Sequence, residues 1–173
     1  MRKLTMLIIL VATAAVALPQ QMPMPKMSGP QSDAQKAFEK LKTFAGSWQG
    51  SFMGRSVQMT IRVTSTGNAI LHEMTASGRP DDPITMIYVD GDRLLLTHYC
   101  DSGNRPRMQG KLSPDGNTVT FAFLDVSGNT DEFLMHDIVF TMVDADHHIE
   151  AFTYSLNRKP PFRAPGIQLQ RTK

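Results

Sequence analysis

Cysteine is nearly absent from this chain: Cys100 is the only one in 173 residues. No intramolecular disulfide can form, even in an oxidising compartment, so the fold must rest on its core. Tryptophan is equally scarce, with Trp48 alone. An excess of one charge is missing as well: 18 Lys and Arg face 16 Asp and Glu. Such a balance makes no field for nucleic acid or for an anionic membrane surface. Several chemical signatures are also lacking. There is no Gly-x-Ser-x-Gly, no phosphate-binding loop, no dinucleotide fingerprint, and no His-x-x-x-His or Cys-x-x-Cys pair. These absences remove the common hydrolase, nucleotide-binding and compact metal-site classes, and no catalytic residue is assigned.

One long apolar run is present, at the N-terminus. Met1-Arg2-Lys3 precedes an uninterrupted apolar and small-residue stretch from Leu4 to Leu18, and Ala15-Val16-Ala17 supplies a small-x-small cleavage site. Residues 1–17 read as a secretory signal peptide, too short and wrongly flanked for a stable span. The expected product is secreted or periplasmic, with no membrane span after cleavage. Loss of Arg2 and Lys3 leaves 16 cations against 16 acids, so the mature chain is neutral. Residues 18–31 are rich in Pro, Met and Gln without apolar period and read as a disordered linker. Met22, Met24 and Met27 suit a soft metal such as copper, but no histidine accompanies them.

The remaining 142 or so residues, 32–173, read as one domain. Ser32-Asp33-Ala34-Gln35 is a capping-box signature, and Ala37, Phe38, Leu41 and Phe44 follow at helical spacing. A helix of about three turns ending at Gly46 is predicted. Afterwards the period is two. Trp48/Gly50/Phe52, Val57/Met59/Ile61/Val63 and Ile70/His72/Met74 each share a face. Ile84/Met86/Tyr88, Leu94/Leu96/His98/Cys100 and Val119/Phe121/Phe123 continue the series. Leu134/His136/Ile138/Phe140/Met142, Ile149/Ala151/Thr153 and Ile167/Leu169 complete it. Turn-formers such as Asp90-Gly91-Asp92 and Pro114-Asp115-Gly116-Asn117 separate these runs. Short connections force neighbours to pair antiparallel. The fold class is therefore all-β, an up-and-down antiparallel β-barrel of about ten strands with a short N-terminal helix. Closure removes the edges of so long a meander. A Greek-key sandwich is the alternative, but no long crossover is visible.

A capping helix, then Gly46-Ser47-Trp48, then an up-and-down series with Arg171 after the last strand, resembles the calycin superfamily of lipocalin-like barrels. The strand count is nearer the nitrobindin-like and fatty-acid-binding members. That resemblance implies that Trp48 seals the closed end of the barrel and that Arg171 lies over its ring. More narrowly, Asp90–Leu94, Thr97–Cys100, Gly103–Met108 and Asp144–His147 are similar to a family of secreted bacterial proteins of unassigned function. The likeness carries fold and compartment and imports no activity.

His72, His98 and His136 fall on apolar-parity faces, with Cys100 two residues beyond His98. They are read as ligand-binding positions of a barrel interior. Histidines bonded to neighbouring groups would give the same pattern. The alternative is a transition metal or haem held by His98, His136 and His147. The nitrobindin likeness places a haem-ligating histidine nearest His147 or His148. Arg105 and Arg107 alternate onto one strand face beside a glycine loop. Two readings fit them: a clamp for a carboxylate or phosphate, or a solvated hairpin paired to Asp101 or Asp125. The resulting expectation is a binding protein for a small hydrophobic or amphipathic molecule, with no cofactor and no nucleic acid. A haem- or metal-binding barrel and a ligand-free interaction module are the rivals.

Overall fold

The computed structural model describes residues 30–79 and 82–172. The signal-peptide reading of residues 1–17, almost all of the 18–31 linker and the three-methionine tract lie outside them.

The chain enters through helix α1 (Asp33–Lys42). Ser32 caps it as the sequence predicts: its Oγ accepts from the Gln35 N–H, and the Gln35 side chain accepts from the Ser32 N–H. The helix stops earlier than Gly46, at a C-cap on Thr43 whose hydroxyl donates to the Lys40 carbonyl. Gly46 instead opens the first strand. Ala34, Ala37, Phe38 and Leu41 form the buried stripe.

Eleven strands follow: β1 (Gly46–Phe52), β2 (Arg55–Thr64), β3 (Ala69–Ala76), β4 (Ile84–Asp90), β5 (Arg93–Tyr99), β6 (Asn104–Leu112), β7 (Thr118–Gly128), β8 (Phe133–Met142), β9 (His147–Leu156), β10 (Phe162–Arg163) and β11 (Ile167–Arg171). Each of the first nine pairs antiparallel with the next. β11 then inserts between β9 and β1, and this closes the ring. The two-residue β10 continues the same edge of β9 beyond β11. The result is a closed ten-stranded antiparallel barrel, as the alternation and short turns predict. α1 packs against β4, β5 and β6 at the end where β1 begins. The opposite end is open.

Two glycines let the wall close. A Cβ at Gly50 would meet the Gln168 carbonyl oxygen at 2.5 Å, so only a glycine lets β11 approach β1 this closely. At Gly110, a Cβ would meet Leu94 at 2.6 Å and Phe121 at 2.7 Å. Around that point the core is tightly filled, with Trp48, Met59, Ile70, Leu96, Met108, Phe121, Ile138 and Phe140 almost fully buried.

The structure reverses the phase of two strands. On β4 the inner face is Thr85 and Ile87, not Ile84, Met86 and Tyr88, because Thr85 pairs with His72 and Ile87 with Ile70. Both faces of β4 are apolar enough that alternation alone does not choose between them. On β9 the inner face is His148, Glu150, Phe152 and Tyr154, not Ile149, Ala151 and Thr153. In addition, β6 is a strand that the pattern of apolar residues does not reveal, since its inner face is Asn104, Pro106, Met108 and Gly110.

Candidate functional site

The closed end is built around Trp48. Its Nε1–H donates to the Phe44 carbonyl at 2.8 Å, which ties the floor of the barrel to the end of the helical segment. Arg171, directly opposite on β11, places its guanidinium 4.1 Å from the indole centroid. Its nitrogens also donate to the carbonyls of Ala45 at 2.7 Å and Ala145 at 3.0 Å. The arginine therefore links the chain before β1, the β8–β9 turn and the last strand.

Above this floor lies a buried polar cluster. Glu150 is fully buried, and both its oxygens face His72 Nε2 at 3.1 and 3.2 Å. Its Oε1 also accepts from His148 Nε2 at 3.0 Å. β3 and β9 are not neighbours in the sheet, so the His72–Glu150 contact spans the interior. Burial by itself would lower the His72 pKa, but the Glu150 charge and hydrogen bond outweigh it and raise the value. Burial would likewise raise Glu150, yet the charge on His72 and the bonds from both imidazoles hold it well below the usual carboxylate range. The His148 ring packs edge-on against Trp48 and Phe44, and its Nδ1 has no partner. Donation from Nε2 to Glu150 leaves that nitrogen as a bare lone pair, the less costly atom to orphan. Sequence reasoning passed over Glu150 because charged residues are seldom fully buried. The available signal was Phe152 and Tyr154 on the same parity.

His98 is buried beside this row, with Nδ1 2.9 Å from the Thr85 hydroxyl. Burial pushes its pKa down to about 4. His72 and His98 are thus interior, as read from the sequence. His136 is not. A bulge between Met135 and Asp137 sends Met135 into the core, and the half-buried His136 bonds the Ser155 hydroxyl at 2.9 Å and lies against the exposed Phe123 ring. His147 lies at the helix end, half-exposed, with Nδ1 2.9 Å from Asp144. The three histidines offered to a metal or haem therefore occupy separate environments. Among the described residues, no group of three or more His, Cys, Asp or Glu is arranged to hold a metal ion.

The open end holds a cavity of about 840 Å³. Phe52, Val57, Met74, Ala76, Phe133 and Ala164 supply its apolar wall, Met53 and Phe162 its lip, and Arg55, Arg79, Asp101 and Tyr154 its polar atoms. No histidine is among these. Arg79 is ion-paired with Asp101. Cys100 sits next to Asp101, just past β5, with Sγ 2.9 Å from the Ser102 hydroxyl; partial burial pushes its thiol pKa up. Asn104 holds the adjoining loops, donating to the carbonyls of Asn129 at 2.9 Å and Phe133 at 2.6 Å.

Arg105 and Arg107 alternate on one face, but it is the outer one. Arg107 is ion-paired with Asp125, with Nε 2.7 Å from Oδ1. This is the solvated pairing that the sequence left open. The two arginines border a shallow external depression of about 490 Å³ and take no part in the lumen. A second external groove, of about 650 Å³, crosses β1, β11 and β9, where Gln49, Gln168 and Gln170 line it together with Val143, His147 and Ile149.

No family model and no curated protein matches the chain. Solved structures do. The crystal structure of Rv2717c from M. tuberculosis superposes with a TM-score of 0.59 at 14% identity, covering 79% of this chain and 98% of that one. A protein of unknown function from the DUF3598 family of Nostoc punctiforme PCC 73102 superposes with a TM-score of 0.54 at 11% identity, covering 76% of this chain. The present chain spans about half the length of that protein, 49%. At these identities the likeness is one of fold, and the neighbours fit a lipocalin-like barrel.

Proposed function

We propose that this protein is an exported, calycin-like binding barrel that holds a small amphipathic molecule in its open end. The observation that carries this reading is the cavity of about 840 Å³ above a packed floor. Its size lies in the range of small-molecule sites, and its apolar wall with a few polar groups is the usual composition of such sites. Met53 and Met74 supply adaptable surface. Export is supported by the N-terminal segment, which has the pattern of a secretory signal. The haem or metal rival rests on the scattered histidines, and the ligand-free module on nothing beyond the fold.

Native mass spectrometry and an absorption spectrum of protein purified from its own host test the proposal. A bound organic mass that is lost on denaturation is expected. A Soret band, or stoichiometric zinc or copper in place of an organic mass, would overturn it. Mass analysis of the mature N-terminus tests export, with cleavage after Ala17 expected.

A further inference from the structure

Outward-facing positions on β1, on β11 and on residues 56–60 of β2 carry no charge. Ser47, Gln49 and Ser51 face outward from β1, and Ser56, Gln58 and Thr60 from β2. β11 adds Gln168 and Gln170. The register sets three of these glutamines in one row across the wall. Gln58 pairs with Gln49, Gln49 with Gln170, and Gln170 with His147 on β9. Strand spacing places successive members about 4.8 Å apart, close to the length of one sugar unit. Among the described residues, none of the three glutamine amides bonds another protein group. His147 ends the row as an oriented ring, because Asp144 holds its Nδ1 at 2.9 Å and leaves Nε2 free to bond a ligand. The external groove of about 650 Å³ follows this row over Gln49, Gln170 and His147, and Val143 and Ile149 add apolar surface to it.

The chemistry of the row selects its partner. A charged ligand finds no counter-charge on the glutamines. A protein partner is disfavoured too, because interface cores are enriched in Tyr, Trp, Phe, Met and Arg, and none of these is among the eight outward side chains. Each amide both donates and accepts, as each hydroxyl of a sugar does. The apolar Val143 and Ile149 suit the C–H face of a pyranose ring.

Independently of the cavity reading, we infer that this outer face binds a neutral, extended pyranose oligosaccharide, with Gln58, Gln49, Gln170 and His147 hydrogen-bonding successive sugar units. The shared chemistry is an uncharged, extended sugar chain. A glucan bearing only hydroxyls and a chitin-type chain bearing acetamido groups are its two sources.

Amide NMR of the isotope-labelled protein tests this with four probes: cellohexaose, chitohexaose, the curved maltohexaose and an anionic oligogalacturonate. Cellohexaose or chitohexaose is expected to shift the side-chain amide signals of Gln49, Gln58 and Gln170 with millimolar or tighter affinity, and the tighter of the two identifies the source. Maltohexaose, whose chain curves away from a straight row, and the anion should bind at least about tenfold more weakly. Gln49→Ala combined with Gln170→Ala should weaken binding at least about fivefold. The urea midpoint should stay unchanged, since both positions are exposed. If neither extended sugar shifts these signals, if maltohexaose or the anion binds equally well, or if the double substitution leaves binding intact, the inference is overturned. Concentration-dependent dimerisation that the double substitution abolishes would also overturn it, by assigning the face to a second copy of the chain.

Discussion

At the residue scale, the ionisable groups of the interior set opposing pH dependences. His98 has a folded pKa near 4 against 6.5 when unfolded. The folded state therefore binds fewer protons between those values, and stability is lost as pH falls from 6.5 to 4. The shift corresponds to roughly 3 kcal/mol at most. His72 behaves oppositely: its folded pKa is raised above 6.5, so its contribution is present below 6.5 and lost as pH rises through the folded value. Glu150 has a depressed value, so its contribution holds above 4.5 and fades as pH falls further. Urea denaturation across pH should show maximal stability close to pH 6.5, and His98→Asn should flatten the acid limb between 6.5 and 4. Glu150→Gln should cost about 3–5 kcal/mol by breaking a buried ion pair and stripping His72 of its charge partner. It should also abolish the alkaline loss assigned to His72. An unchanged urea midpoint in Glu150→Gln would show that the cluster contributes little.

At the element scale, the junction of the helix, β1 and β11 is where the barrel is tied together. Trp48 fills the floor and bonds back to Phe44, so Trp48→Ala should cost about 3–5 kcal/mol through the cavity it leaves. Arg171→Ala removes a cation–π contact worth about 0.5–2 kcal/mol together with three carbonyl hydrogen bonds, and should cost less than the tryptophan. The two midpoints, measured side by side, rank them. Gly50→Ala introduces a methyl group against the Gln168 backbone, which cannot swing away as a side chain would. A loss of about 1–3 kcal/mol is expected, with amide exchange accelerated in β11 relative to β5.

At the scale of the whole molecule, closure depends on one five-residue strand supplied by the end of the chain. Without β11, the edges of β1 and β9 that it covers would present unpaired backbone groups. A chain truncated after Pro165 should elute as soluble aggregate in gel filtration rather than as monomer, while retaining strand signal in circular dichroism. A monomeric truncated form would show that β11 is dispensable for closure. The open end stands apart from this seam, bounded by the mouth loops. Substitutions there, such as Arg55→Gln, are therefore expected to separate binding from folding.

The order of strands and the capped helix follow from local rules acting on the sequence alone, whereas the sealing role of Trp48 came from the family resemblance. Capping chemistry, period-two patterning and turn residues operate over a few positions, and short connections leave an antiparallel meander little choice but to close. The inner face of β9 was decided only in three dimensions. Locally, His148 and Glu150 argue for solvent; the carboxylate is satisfied by His148 on its own strand together with His72, brought across the lumen from 78 residues away. His136 looked interior by the same local logic until a bulge shifted its phase. The cavity was equally invisible in one dimension. Arg55, Arg79, Asp101, Tyr154 and Phe162 come from different strand ends and loops, share no spacing, and meet only because closing the barrel gathers those ends around one mouth.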